Sequence, residues 1–169
     1  MVIIIFGLPG SGKSYFASRF AKVINAAYIN SDKVRKETFE KSVYSDLQKK
    51  AVYDKMLEQM KLSVKQNKNV VLDATFHKEN TRKTFVEEMK DKGGISFIEI
   101  QADENTIRER LKRPRPYSDA DFEVYKIISQ QNEPLNEPHL ILKSTDNINE
   151  MIQTATDYLK TNNDNRTNQ

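Results

Sequence analysis

The chain opens with Val2-Ile3-Ile4-Ile5-Phe6-Gly7-Leu8-Pro9-Gly10-Ser11-Gly12-Lys13-Ser14. Its first five residues after Met1 are apolar and rich in β-branched side chains. A short continuous run of this kind suits a strand buried on both faces of a parallel sheet. The eight residues that follow satisfy G-x-x-x-x-G-K-[ST], with Gly7, Gly12, Lys13 and Ser14 at the fixed positions. Glycines let the backbone curl so that N–H groups point inward around phosphate oxygens. A helix beginning at Lys13 adds the partial positive charge of its N-terminus. The Lys13 ammonium reaches the β- and γ-phosphates, and the Ser14 hydroxyl ligates Mg²⁺. At average composition a chance match occurs on the order of 0.005 times per chain. Here the pattern also follows a strand and opens a helix, as the chemistry requires. Gly7, Leu8, Pro9, Gly10, Ser11, Gly12, Lys13 and Ser14 are therefore read as the binding loop of a nucleoside triphosphate.

Outward from this loop the pattern alternates. Phe16, Phe20 and Ile24 recur at i+4 in a helix over 13–24, and Ala27 to Asn30 reads as a second strand. Ser31-Asp32 is expected to cap a helix from Lys33 to about Glu40. Val52, Met56, Met60 and Val64 mark a long helix from about Ser45 to Gln66. Asn69 to Asp73 is a third strand, and Asn80 to Lys90 a helix with Phe85, Val86 and Met89 inward. Ile95 to Ile100 is a fourth strand, and Asp103 caps a helix running to about Lys112. Arg113-Pro114-Arg115-Pro116 breaks it, because proline cannot continue a helix. Ser118 to Gln131 is helical, His139 to Leu142 a fifth strand and Asn147 to Lys160 a last helix. Strands alternating with helices give an α/β fold with a mainly parallel sheet. We expect a single domain over 1–160 and a disordered polar tail over 161–169.

The chain has 169 residues, a net charge of +3, 30% charged residues and no cysteine. That length fits one domain, and the absence of cysteine excludes disulfides and thiolate metal sites. The charge excess is mild for a nucleic-acid binder. No run approaches the roughly 20 apolar residues of a membrane helix, and the apolar start is too short for a secretory leader. A cytoplasmic location is expected.

Ligands of open parallel sheets bind beyond the carboxyl ends of the strands. Two carboxylates stand at such ends, Asp32 after the second strand and Asp73 at the end of the third. Phosphoryl transfer needs an acceptor in line with the γ-phosphate and a group to take its proton. Asp32 is either that base or a plain helix cap, and Arg35, on the same side of the helix, either orients Asp32 or holds an anionic acceptor. Asp73 serves either the Mg²⁺ shell or as a structural partner of Arg35 or Arg82. Thr75 is either a donor to the acceptor or an ordinary turn threonine. Phe76 stacks on a planar acceptor or packs in the core. Arg108, Arg110, Lys112, Arg113 and Arg115 cluster around the proline break, where a mobile arginine lid would stabilise the transferring phosphoryl group. Arg113 is the first choice for that role, then Arg110, then Arg115. His77, after the third strand, is read as a surface loop residue, with contact to an acceptor as the alternative, and His139 as a strand start.

Taken together, the phosphate loop, Ser31-Asp32-Lys33-Val34-Arg35-Lys36, and Val71-Leu72-Asp73-Ala74-Thr75-Phe76 with Arg82 resemble the P-loop kinases that include the polynucleotide 5′-hydroxyl kinase domain and, more distantly, the zeta toxins. Pro116 to Asp121, Glu133-Pro134 and Glu137-Pro138-His139 are similar to stretches in bacterial ATPase-annotated members of that group. The resemblance spans residues 1 to about 145. It implies five parallel strands in the order 2-3-1-4-5, flanked by helices, with a small arginine-bearing lid. It also implies that Asp32 is the general base, that Arg35 contacts the acceptor and that Thr75 lies near it. Members commonly space two lid arginines four apart, whereas here Arg110 is followed by Arg113 and Arg115. The expected activity is ATP- and Mg²⁺-dependent phosphorylation of a hydroxyl on a small molecule, a nucleotide or a 5′-hydroxyl nucleic-acid end. A regulatory module that binds nucleotide with little transfer, and a toxin-like sugar-nucleotide kinase, are the alternatives. A nucleic-acid partner is compatible with this reading but not required by it.

Overall fold

Val2–Phe6 forms β1, and all five residues are buried. The reason lies in the alternation of a strand, which sends successive side chains to opposite faces. Ile3 and Ile5 meet Phe16 and Phe20 of α1 (Lys13–Val23) on one side of the sheet. Val2, Ile4 and Phe6 point to the other side, where a second core gathers. A strand with a hydrophobic layer on each face has no position for a polar residue, hence the unbroken apolar run.

The structure, a computed structural model, describes residues 1–40, 45–114, 120–144 and 147–167. Its remaining elements are β2 (Ala26–Asn30), α2 (Ser31–Thr38), α3 (Asp46–Lys65), β3 (Asn69–Asp73) and α4 (Glu79–Met89), then β4 (Ile95–Gln101), α5 (Glu104–Leu111), α6 (Phe122–Gln130), β5 (Leu140–Lys143) and α7 (Ile148–Thr167). The sheet has five parallel strands in the order β2-β3-β1-β4-β5. This is the order implied by the resemblance. Val52, Met56 and Met60 of α3 join Phe85 and Met89 of α4 on the β1 face opposite α1. Ala155 and Leu159 of α7 lie with α1.

Some expectations change. Val86 is 39% exposed rather than inward, since one step along a helix from the buried Phe85 turns a side chain about 100° away. The cap of α2 is Asn30, whose side chain accepts from the Lys33 N–H, rather than Ser31-Asp32. Helix α7 runs on to Thr167, past the boundary expected at Lys160. Arg115, Ser118 and Asp119, which belong to the expected lid and to the start of the helix after it, lie outside the described residues. Among the described residues no helix is long and apolar enough to cross a membrane.

Register places the site. Asp73 pairs with Ile5 on one side and with Asn30 on the other. The carboxyl ends of β1, β3 and β2 therefore finish side by side, and the chain leaves each of them at the same edge of the sheet.

Candidate active site

The loop between β1 and α1 is fixed by close approach. Gly7 adopts a φ of +150°, and a Cβ there would fall 2.3 Å from the Ile100 carbonyl oxygen. Gly12, at φ +94°, is the N-cap of α1 and has no side chain to occupy the helix end. The first N–H groups of α1 are thus left for a ligand, and the helix dipole favours an anion there. A Cβ on Gly12 would sit 2.7 Å from Ser144 Oγ and 3.1 Å from an Arg110 guanidinium nitrogen. Those two side chains brace the loop from outside. Arg110 Nη1 donates to the carbonyl of Ser11 at 3.1 Å and to Ser144 Oγ at 3.0 Å. Ser144 is itself anchored by its N–H to the Gln101 carbonyl at 2.7 Å.

Lys13, Ser14, Asp32, Arg35 and Thr75 line one cavity beside this loop, together with Pro9. Five residues singled out from three separate sequence segments thus converge. Asp32 lies in the first turn of α2 without the capping duty, which Asn30 performs. Arg35, one turn on, is 7% exposed.

Asp73 is fully buried. Its Oδ2 accepts from Tyr28 Oη and Asn30 Nδ2, each at 2.6 Å. Its structural partners are therefore on β2, where Tyr28 and Asn30 share a face, rather than Arg35 or Arg82. Burial and the Asp73 charge push the Tyr28 phenol well above its usual range, so it remains a donor. Asp73 Oδ1 is buried with no hydrogen-bond partner among the described residues. Such an oxygen calls for a ligand or an ordered water. An oxygen-only donor set of the Ser14 hydroxyl and the Asp73 carboxylate fits Mg²⁺, which keeps several waters and binds through one or two carboxylates plus substrate phosphates. Among the described residues no group of three His, Asp or Glu side chains forms a denser metal cage.

The turn after β3 borders the same cavity through Thr75 and His77. Thr75 Oγ1 lies 3.4 Å from Tyr53 Oη and 3.3 Å from His77 Nδ1. Tyr53 Oη also accepts the Phe76 N–H at 3.2 Å. The Phe76 carbonyl accepts from Arg82 Nη1 at 2.8 Å, and Arg82 Nη2 donates to the Pro134 carbonyl at 3.0 Å. These bonds hold Phe76 at a φ of +44°, unusual for an aromatic residue. Its ring, a possible stacking surface from sequence, turns into the core instead, fully buried against Tyr53 and Phe85. His77 is 8% exposed and lines the cavity rather than lying in a surface loop. Burial, then the positive charges of Lys49 and Lys78, push its pKa below the ordinary value. Glu133 reaches across to the same turn, taking the Glu79 N–H at 2.7 Å at the start of α4 and giving its own N–H to the His77 carbonyl. The Glu133-Pro134 pair noted in the sequence is thus a strap over this turn.

The basic cluster divides. Arg108 lies 3.9 Å over the Phe122 ring and ties α5 to α6. Arg110 holds the phosphate loop. Lys112 pairs with Glu109. Arg113 is exposed at the end of α5 and does not line the cavity of Lys13 and Asp32.

Sequence reasoning passed over Lys49, Tyr53, Tyr28, Asn30 and Ser144. Lys49 and Tyr53 are four apart on α3 and line the cavity together. Tyr28 and Asn30 carried a legible signal, because polar side chains two apart on a strand share a face. Their distance from Asp73 depended on β2 lying next to β3. Ser144 carried none.

Comparison with known proteins follows the geometry. A sugar kinase from Janibacter sp. HTCC2649 is similar in fold at a TM-score of 0.74 and 16% identity, covering 94% of this chain and 94% of that one. The Mycobacterium tuberculosis APS kinase CysC, in complex with AMPPNP and APS, is similar at a TM-score of 0.71 and 16% identity, over 94% of this chain and 96% of that one. Chaetomium thermophilum Kti12, in complex with ADP-AlF3, is similar at a TM-score of 0.70 and 17% identity, over 93% and 98%. At such identities the likeness is one of fold. No curated protein sequence matches the chain. The polynucleotide kinase and zeta-toxin resemblance is narrower than the family these comparisons support. A family model described as an AAA domain matches residues 2–135, most of the chain, and the protein is a member of that family.

Proposed function

We propose that the protein is an ATP- and Mg²⁺-dependent kinase that phosphorylates a hydroxyl. The observation that carries this reading is the convergence of Lys13, Ser14, Asp32 and Arg35 on one cavity, with Asn30 rather than Asp32 capping α2. The loop and the N-terminus of α1 hold the triphosphate, with Lys13 on its β- and γ-phosphates. Ser14 and Asp73 hold Mg²⁺, which neutralises charge on the phosphates. Asp32 orients the acceptor hydroxyl and takes its proton as the acceptor oxygen bonds to the γ-phosphorus. The bond from that phosphorus to the β–γ bridging oxygen breaks, leaving ADP and a phosphorylated acceptor. Arg35 and Thr75 place the acceptor, and Arg113 is the lid group that closes on the transferring phosphoryl.

A small acceptor is favoured over a polynucleotide end. The cavity holds about 70 Å3, and Val124 and Ile128 of α6 are among the residues that line it. The fold's likeness to a sugar kinase and to an APS kinase agrees with this choice.

The test is transfer of labelled γ-phosphate across sugars, nucleosides, cofactor precursors and 5′-hydroxyl oligonucleotides. Acceptor-dependent ADP release is expected, and Asp32→Asn should lower kcat at least 100-fold while ATP binding holds. An Asp32→Asn variant that transfers at the parent rate removes Asp32 as the base. ATP binding with no acceptor-dependent turnover across the panel favours a regulatory nucleotide-binding module.

A further inference from the structure

A chain of three hydrogen bonds runs through the turn after β3, and its direction follows from its first donor. Phe76 gives its N–H to Tyr53 Oη at 3.2 Å. The phenol keeps its own proton, since burial pushes it above the ordinary tyrosine range. The one acceptor which that proton meets among the described residues is Thr75 Oγ1, at 3.4 Å. Thr75 Oγ1 also lies 3.3 Å from His77 Nδ1. A hydroxyl has one proton to give. The protons of Tyr53 and Thr75 both find an acceptor inside the protein only if Tyr53 donates to Thr75 and Thr75 donates to Nδ1. Nδ1 is then bare, and the proton of the neutral imidazole sits on Nε2. Burial and the charges of Lys49 and Lys78 favour that neutral ring.

Nε2 is the far end of the chain. It has no hydrogen-bond partner among the described residues, yet it is not one of the buried atoms left without one. It therefore meets open space, although His77 as a whole is only 8% exposed. His77 lines two spaces at once. One is the cavity of Lys13 and Asp32, and the other is an outer cavity of about 770 Å3 bordered by Asp54 of α3 and Thr81 of α4.

We propose that His77 is a specificity-determining residue of the acceptor site, its Nε2–H donating to an oxygen of the acceptor where the two cavities share a wall. This inference rests on the kinase reading and deepens it. Thr75 then acts on the acceptor through His77, because its own proton is engaged by Nδ1. The acceptor carries, besides its reacting hydroxyl, a second oxygen that accepts a hydrogen bond. A site built to donate in this way rejects an analogue that lacks the partner atom, since its N–H is left unpaired.

Two measurements test the proposal. The first needs no substrate. Long-range proton–nitrogen NMR on the full chain, at about pH 8 where a histidine is neutral, tells a protonated ring nitrogen from a bare one. The chain has two histidines, so His139→Gln identifies the signals of His77. A proton on Nε2 and a bare Nδ1 are expected, and a proton on Nδ1 overturns the inference. The second measurement is transfer from Mg²⁺-ATP to ribose, gluconate, adenosine, pantothenate and a 5′-hydroxyl oligonucleotide. His77→Asn keeps an amide near the place of Nδ1 and deletes the donor at Nε2, whereas His77→Gln puts an amide N–H near Nε2. On a compound that turns over, His77→Asn should raise KM about tenfold with kcat little changed, and His77→Gln should keep KM within about threefold of the parent. A merely structural role would lower kcat and the urea midpoint in both variants alike. Parent-like KM in His77→Asn, or equal losses in the two variants, overturns the inference. If no compound accepts phosphate, it is the kinase reading that fails, and the NMR result alone upholds or overturns the donor at Nε2.

Discussion

The side-chain amide of Asn30 is bonded at both ends: Nδ2 donates to Asp73 Oδ2 at 2.6 Å, and Oδ1 accepts the Lys33 N–H at 3.0 Å. One side chain thus starts the helix that bears Asp32 and Arg35 and orients the carboxylate at the end of β3. Any shift of α2 is transmitted to Asp73, and the converse holds.

Asn30→Ala should lose both functions. A lost cap costs about 1 kcal/mol, and a lost hydrogen bond to a buried charged group about 1.5–3 kcal/mol. The expected loss is about 2–4 kcal/mol in urea unfolding. Asn30→Asp keeps a capping oxygen but sets a second carboxylate against Asp73. It should be destabilising at neutral pH and recover as pH falls, since the folded pair would retain a proton that the unfolded chain releases.

Asp73→Asn should keep the bond from Tyr28 while removing the carboxylate charge that we propose holds Mg²⁺. The Mg²⁺ concentration needed for half-maximal ATP binding should rise about 10- to 100-fold. A Mg²⁺ titration followed by a fluorescent nucleotide reads it. An unchanged requirement would make Asp73 structural.

The phenols of Tyr28 and Tyr53 are both raised, mainly by burial, with the charge of Asp73 adding at Tyr28 and that of Asp32 at both. A raised phenol binds its proton more tightly in the folded state. Its stability is complete below the unfolded pKa of about 10 and is lost as pH rises beyond it, by up to about 1.4 kcal/mol per pH unit for each group. Tyr28→Phe should show a shallower alkaline slope than the parent in urea midpoints measured from pH 9 to 11.

His77 carries the opposite sign. Its depressed pKa means the folded state resists protonation, first through burial and then through Lys49 and Lys78. Its stability is present above an unfolded pKa of about 6.5 and is lost as pH falls through the lower folded value. His77→Gln should flatten that acid limb. A variant with the parent slope would place its origin in the carboxylates.

Arg110 and Arg113 should separate in kinetics. Arg110→Met frees the Ser11 carbonyl and Ser144, so the loop loosens and the Kd for ATP should rise about tenfold. Arg113→Met should leave that Kd near the parent value and lower kcat, by as much as about 1,000-fold if it meets the transferring phosphoryl. A parent-like kcat would return the role to another cation.

Local sequence carried much of this protein. The apolar run of β1, the glycines and Lys13-Ser14 of the loop, and the i+4 pattern of Val52, Met56 and Met60 each act within a turn or a strand. Their readings hold because spacing alone fixes which face a side chain takes. Asp32, Asp73 and Thr75 were legible as polar residues at or just past strand ends, where parallel sheets bind ligands, and Arg35 as the cation one turn on from Asp32. Contacts across strands and between distant loops were not legible, because they depend on which elements lie side by side. Tyr28 and Asn30 reach Asp73 only because β2 lies against β3. Arg110 meets Ser11 across about a hundred residues of chain, and Lys49 joins Arg35 only because α3 packs beside α2. Phe76 shows the limit most plainly: three neighbours, Tyr53, Phe85 and Arg82, turn its backbone to a positive φ and its ring into the core, and no local pattern encodes them.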